Sequence, residues 1–122
     1  MENQKNKKIW KMKTADKKWR TYLLSKKPNI CAKCGLGGKL QVSHFWTASN
    51  SAVRYCEDNC DFLHYHCHYG NLDGWEYQKQ GKYREWKLRQ LGKKIYSELE
   101  KRYYQGKITR QEAIKELMQR IK

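Results

Sequence analysis

The chain has one proline and two phenylalanines among its 122 residues, and only 12 acidic side chains against 27 lysines and arginines. Long apolar runs are missing, as are a secretory leader and any helix with a clean Lys/Arg face opposite a Leu/Phe face. No membrane partner is therefore expected, and the expected location is cytoplasmic. Internal repeats and low-complexity linkers are also missing, which argues against a solenoid or a tethered array. The length suits one domain with one modest core rather than a multi-domain enzyme.

The scarcity of acidic groups leaves a formal charge of +15. Such an excess points to a polyanionic partner, with nucleic acid the leading candidate, and says nothing about fold. The charge is uneven: +8 over residues 1–28, −2 over 29–78 and +9 over 79–122. Basic flanks around a slightly acidic middle suit a protein whose ends grip phosphates while its centre holds a site. With 39% apolar and 32% charged residues the core is small enough to need outside support, which a metal staple would supply.

Four segments follow. Residues 1–13 read as a basic arm ending near Trp10. Residues 14–28 read as a helix, with Trp19, Tyr22 and Leu23 at helical spacing and Pro28 closing it. In residues 29–75 the glycines of Cys-Gly-Leu-Gly-Gly-Lys precede a strand through Leu40, Val42 and Phe45. A second strand is expected near Ala52–Tyr55, then a short helix from about Asn59 to the Gly70-Asn71 pair. Residues 76–122 alternate aromatic or aliphatic side chains with Lys and Arg, interrupted at Gly81 and Gly92, and predict one or two basic helices. Past Gly106, Thr109-Arg110-Gln111-Glu112 is a capping box for a last helix.

All five cysteines (31, 34, 56, 60, 67) and all four histidines (44, 64, 66, 68) lie in the middle segment. An odd number of cysteines interleaved with histidines reads as a metal site in a reducing compartment rather than a disulfide framework. Cys31-Ala-Lys-Cys34-Gly35 is a knuckle whose two thiolates converge on one tetrahedral ion while Gly35 lets the chain turn away. His64-Tyr-His-Cys67 supplies a second pair, giving a structural zinc on Cys31, Cys34, His64 and Cys67. His66, Cys60 and His68 are alternatives for the fourth ligand. Taken singly, each cysteine also suits a buried apolar position, but the combined spacing favours the metal.

His44 ends the first strand, Asn59 follows Glu57-Asp58, and His68 directly follows Cys67. The pattern C-x2-C, strand with His, then Asn59-x3-Leu63-His64-x2-Cys67-His68 resembles the HNH (ββα-metal) endonuclease superfamily, with His64 in place of the usual first Cys of the second pair. Over roughly residues 30–92 it is most similar to the lambda NinG (Rap) group of phage recombination proteins, through Ser43-His44-Phe45, Val53-Arg54-Tyr55 and Asp58-Asn59. The resemblance implies an α+β fold with a zinc-bound β-β-α (treble-clef-like) core, and a host that is bacterial or phage-infected. It implies that His68 ligates a catalytic Mg or Mn, and that Asn59 either joins it or holds the loop that orients His44. Ser43 stands where many HNH enzymes carry a metal-ligating Asp or His; a borrowed ligand among Asp58, Asp61 and Asp73, or weak metal affinity, would follow.

Phosphodiester hydrolysis needs a base for water, a cation for the developing charge and a group that orients the base. A neutral imidazole suits the first role, and His44 is the expected base. In the flanks, Lys17, Lys18, Arg20, Lys82, Arg84 and Lys87 are expected phosphate contacts, with interleaved Trp and Tyr that stack on bases or, taken one at a time, more simply build helix cores. The expected function is a metal-dependent DNA endonuclease selective for branched recombination DNA, with a homodimer suited to symmetric cutting. The rival readings are a non-catalytic zinc module that binds nucleic acid and a zinc-stabilised protein adaptor.

Overall fold

The computed structural model describes residues 8–70 and 74–121. Helix α1 (Met12–Lys26) buries Ala15, Trp19 and Leu23, one residue per turn, and presents its lysines to solvent. It ends where Lys27 turns extended, its N–H still bonded to the Leu23 carbonyl, one residue before Pro28. Of the expected basic arm, residues 1–7 lie outside the described residues; Trp10 packs partly buried against the core with Lys18 over its ring.

Strand β1 (Gln41–His44) pairs antiparallel with β2 (Cys60–Leu63), placing Ser43 opposite Asp61 and His44 opposite Cys60. Helix α3 (Tyr65–Tyr69) follows directly. The molecule is thus of mixed α+β type with a two-stranded sheet, but its second strand is not where sequence reasoning put it. Ala52–Tyr55 is not a strand: Ser51–Arg54 forms the short helix α2, started by Asn50, whose side chain accepts the Ala52 N–H at 3.0 Å. Of the helix expected from about Asn59 to Gly70-Asn71, the first part, Cys60–Leu63, is β2, and only Tyr65–Tyr69 is helical. All four β2 residues are buried, so it lacks the apolar–polar alternation that marks a half-exposed strand, and short runs of that kind are ambiguous by periodicity. The expected cap at Gly70-Asn71 falls partly on Asn71, outside the described residues.

Helix α4 (Lys82–Gln105) starts at Gly81 and is broken at Gly92, whose φ of 81° and ψ of 159° no helical residue adopts. Helix α5 (Arg110–Arg120) opens on the expected capping box: Thr109 Oγ1 accepts the Glu112 N–H and Glu112 Oε1 accepts the Thr109 N–H, both at 3.0 Å. One core joins these elements. Phe45 meets Trp46, Tyr83 and Tyr96 edge to face, while α5 sends Arg120 over Trp19 and Tyr22 of α1. Among the described residues no helix is long and apolar enough to cross a membrane.

Candidate functional site

The cysteine knuckle is built by backbone bonds. Cys31 N–H donates to the Leu36 carbonyl (2.9 Å) and Gly35 N–H to the Cys31 carbonyl (2.8 Å), a turn that Gly35 completes at φ 78°. Ala32 N–H donates to the Phe62 carbonyl at 2.8 Å, pinning the knuckle to β2 beside the start of α3. There the donor atoms of Cys31, Cys34, His64 and Cys67 all come within 4.8 Å of one another, and Cys34 Sγ is 3.2 Å from His64 Nδ1. His64 Nε2–H donates to the Gly37 carbonyl at 2.6 Å, which leaves the Nδ1 lone pair facing the sulfurs. Ligating histidines are held in this way.

Burial pushes the Cys31 thiol up, but the N–H groups of Cys34, His64 and Lys33 and the Cys67 thiol outweigh it and set it at about 7. Burial, and then the Cys31 thiol beside it, push Cys67 up to about 12. Three sulfurs and a nitrogen at this spacing could hold a structural metal such as zinc. All five cysteines are free thiols. Cys60, an alternative ligand on sequence grounds, is elsewhere: it is fully buried, takes the Trp19 indole N–H at 3.4 Å, and burial raises its thiol to about 12. His66 is exposed and His68 is engaged in other contacts.

His44 stands at the end of β1 with its Nε2–H donating to the Arg54 carbonyl at 2.9 Å. The opposite nitrogen, Nδ1, therefore carries the lone pair. Burial lowers the pKa of the ring from its ordinary 6.5, with the Arg54 charge adding to that and the bond to the Arg54 carbonyl opposing it, so the imidazole is neutral at neutral pH. Arg54 is itself held by Asp16 of α1 through two bonds of 3.1 and 2.7 Å, and Tyr55 donates to the same carboxylate at 2.7 Å. A cleft of about 410 Å³ runs past His44, lined also by Asp16, Arg54 and three basic side chains of α1: Lys13, Lys17 and Arg20.

Compared with known protein families, curated proteins and solved structures, the chain finds no match.

Asn59 is fully buried and its amide is spent on the protein. Its Oδ1 accepts the Trp46 N–H (2.7 Å), and its Nδ2 donates to the carbonyls of Trp46 (2.9 Å) and Val53 (3.1 Å). The expectation that Asn59 ligates a cation is corrected here; it ties down the loop from Phe45 to Val53, next to the carbonyl that orients His44. Lys87 is corrected as well. It is 1% exposed, with Nζ 2.8 Å from Asp61 Oδ2, and so cannot reach DNA. Asp61 also accepts the Tyr83 hydroxyl at 2.8 Å and pairs with Lys27, which removes it from the list of borrowed metal ligands. Ser43 points into the same network, its Oγ 3.2 Å from the Tyr83 hydroxyl. Asp73 lies outside the described residues.

Lys17, Lys18 and Lys82 are exposed, whereas Arg20 and Arg84 are half-buried over the rings of Phe62 and Tyr96. Trp19 and Tyr83 are core, the plainer of the two readings. His68 is 4% exposed, with Nδ1 3.1 Å from Gln41 Oε1 and Nε2 3.2 Å from Glu76 Oε1. Sequence reasoning missed Asp16, Gln41 and Glu76. None belongs to a spaced motif, and only the fold brings them to the histidines.

Proposed function

We propose that the protein is a metal-dependent endonuclease that hydrolyses DNA phosphodiesters, on a zinc-stapled frame of the HNH kind with His44 as general base. The observation that carries this reading is the state of His44: a neutral ring in a basic cleft, its Nε2–H taken by a backbone carbonyl and its Nδ1 left as acceptor. A base so oriented takes a proton from an attacking water at Nδ1, and the Arg54 carbonyl then stabilises the imidazolium. Lys13, Lys17 and Arg20 hold the flanking phosphates. Asn59 keeps the loop, and through it the His44 partner, in place. His68 is the residue whose ring would hold the Mg or Mn. When bound, that cation neutralises charge developing on the phosphate.

The net charge of +15 supports a DNA partner. Branched recombination DNA is the proposed substrate, on the resemblance to the NinG group. The test is cleavage of labelled four-way-junction and matched linear duplex DNA in Mg²⁺ or Mn²⁺, comparing wild type with His44→Ala. Metal-dependent cutting that drops by about 10²-fold or more in a folded variant is expected. The burial of Ser43 favours a second reading, a zinc module that only binds nucleic acid; tight binding with no cutting of either DNA would establish it.

A further inference from the structure

The position before the base is closed to a cation, because Ser43 is buried against Tyr83, and Asn59 and Asp61 are committed to the protein. Glu76 is differently placed. It lies in the single turn Trp75–Tyr77 that follows α3, is one-third exposed, and puts Oε1 3.2 Å from His68 Nε2. On the far side of the ring Gln41 Oε1 is 3.1 Å from Nδ1. When Nδ1–H donates to Gln41, as His64 Nε2–H donates to the Gly37 carbonyl, the Nε2 lone pair of His68 faces Glu76 Oε1, two acceptors that a shared cation would bridge. Two ligands at 2.0–2.1 Å from an octahedral ion, set at right angles, stand about 3 Å apart. The Nε2–Oε1 separation matches that spacing.

We infer that Glu76 Oε1 and His68 Nε2 together form the binding site for the hard divalent cation, with Gln41 fixing the ring from behind. This rests on the nuclease reading for its purpose but not for its test. Glu76 supplies the carboxylate that Ser43 does not. Its exposure leaves the remaining coordination positions to water and a DNA phosphate, as Mg²⁺ and Mn²⁺ prefer. Lys79 Nζ, 3.2 Å from Glu76 Oε2, holds the other oxygen and sets the carboxylate's orientation.

The experiment titrates zinc-loaded full-length protein with Mn²⁺ alone and follows free Mn²⁺ by electron paramagnetic resonance, in wild type, Glu76→Gln and the exposed-surface control Glu98→Gln. Zinc content and circular dichroism report folding, and junction cleavage in Mn²⁺ is measured alongside. One Mn²⁺ per wild-type chain, bound at least about tenfold more weakly in Glu76→Gln and equally in Glu98→Gln with zinc retained, is the expected result. No Mn²⁺ binding by wild type, equal affinity in Glu76→Gln, or an equal loss in Glu98→Gln overturns the site. Equal affinity with Mn²⁺-dependent cleavage intact would sink the Glu76 site and leave the nuclease standing. Glu76-dependent binding without cleavage of either DNA would do the reverse.

Discussion

His44 and Lys87 show how differently two residues of one chain can stand from their sequence appearance. The ring of His44 is lowered in pKa chiefly by burial, so the neutral form that the proposed base requires persists below the ordinary 6.5. The acid limb of log kcat/KM against pH should therefore have its midpoint below 6.5, with activity lost as pH falls through it. Stability has the same sign: the unfolded chain binds the His44 proton more readily, so stability present above about 6.5 declines as pH falls through the folded value. A midpoint at or above 6.5 would contradict the buried, carbonyl-held ring. Lys87 sits in a helix rich in Lys and Arg, yet it is the buried partner of Asp61. Lys87→Ala should cost about 3 kcal/mol in denaturant unfolding, because Asp61 loses its most buried cationic partner and is left with the longer pair to Lys27 and the Tyr83 hydroxyl. Lys17→Ala, at an exposed position, should leave unfolding unchanged.

Among the elements, the knuckle and α3 depend on each other. Helix α3 is five residues long and could not stand alone, and it enters the fold beside two of the four side chains that could hold a metal. Removing the metal with a strong chelator should lower Tm by on the order of 15 °C, given several kcal/mol of metal-linked stability and about 4 °C per kcal/mol. Readdition of zinc should restore it; an unchanged Tm would mean the donors cluster without holding a metal. The elements that sequence reasoning placed well were those with a local code. Trp19 and Leu23 mark the buried stripe of α1, Pro28 its stop, and Thr109 with Glu112 the start of α5. The exchange of helix and strand between Ala52–Tyr55 and Cys60–Leu63 has a physical cause. Neither segment alternates, and what makes β2 a strand is its pairing with β1, a partner far along the chain.

Across the whole molecule, the two basic ends of the sequence meet different fates. Basic side chains of α1 reach the His44 cleft as Lys13, Lys17 and Arg20, while α4 spends Lys87 in the core and lays Arg84 over Tyr96. DNA affinity should fall steeply with salt, and Lys17→Ala and Arg20→Ala should each reduce the slope of log affinity against log salt by about 1. A slope unmoved by both would place the DNA path away from His44.

Composition and short-range spacing were enough to read the excess positive charge, the Cys31/Cys34 and His64/Cys67 pairs, the stop of α1 and the start of α5, since each depends on neighbours within a turn or two of chain. His44 and His68 stood out through the order of His, Asn and His and the resemblance to the HNH superfamily that it carries. What surrounds those rings was decided by contacts across the fold: the Arg54 carbonyl behind His44, Asn59 spent on a loop, Ser43 and Asp61 drawn into the core, and Glu76 and Gln41 on either side of His68. A side chain's chemistry follows from what surrounds it, and those surroundings are assembled from segments that have no periodic relation in sequence.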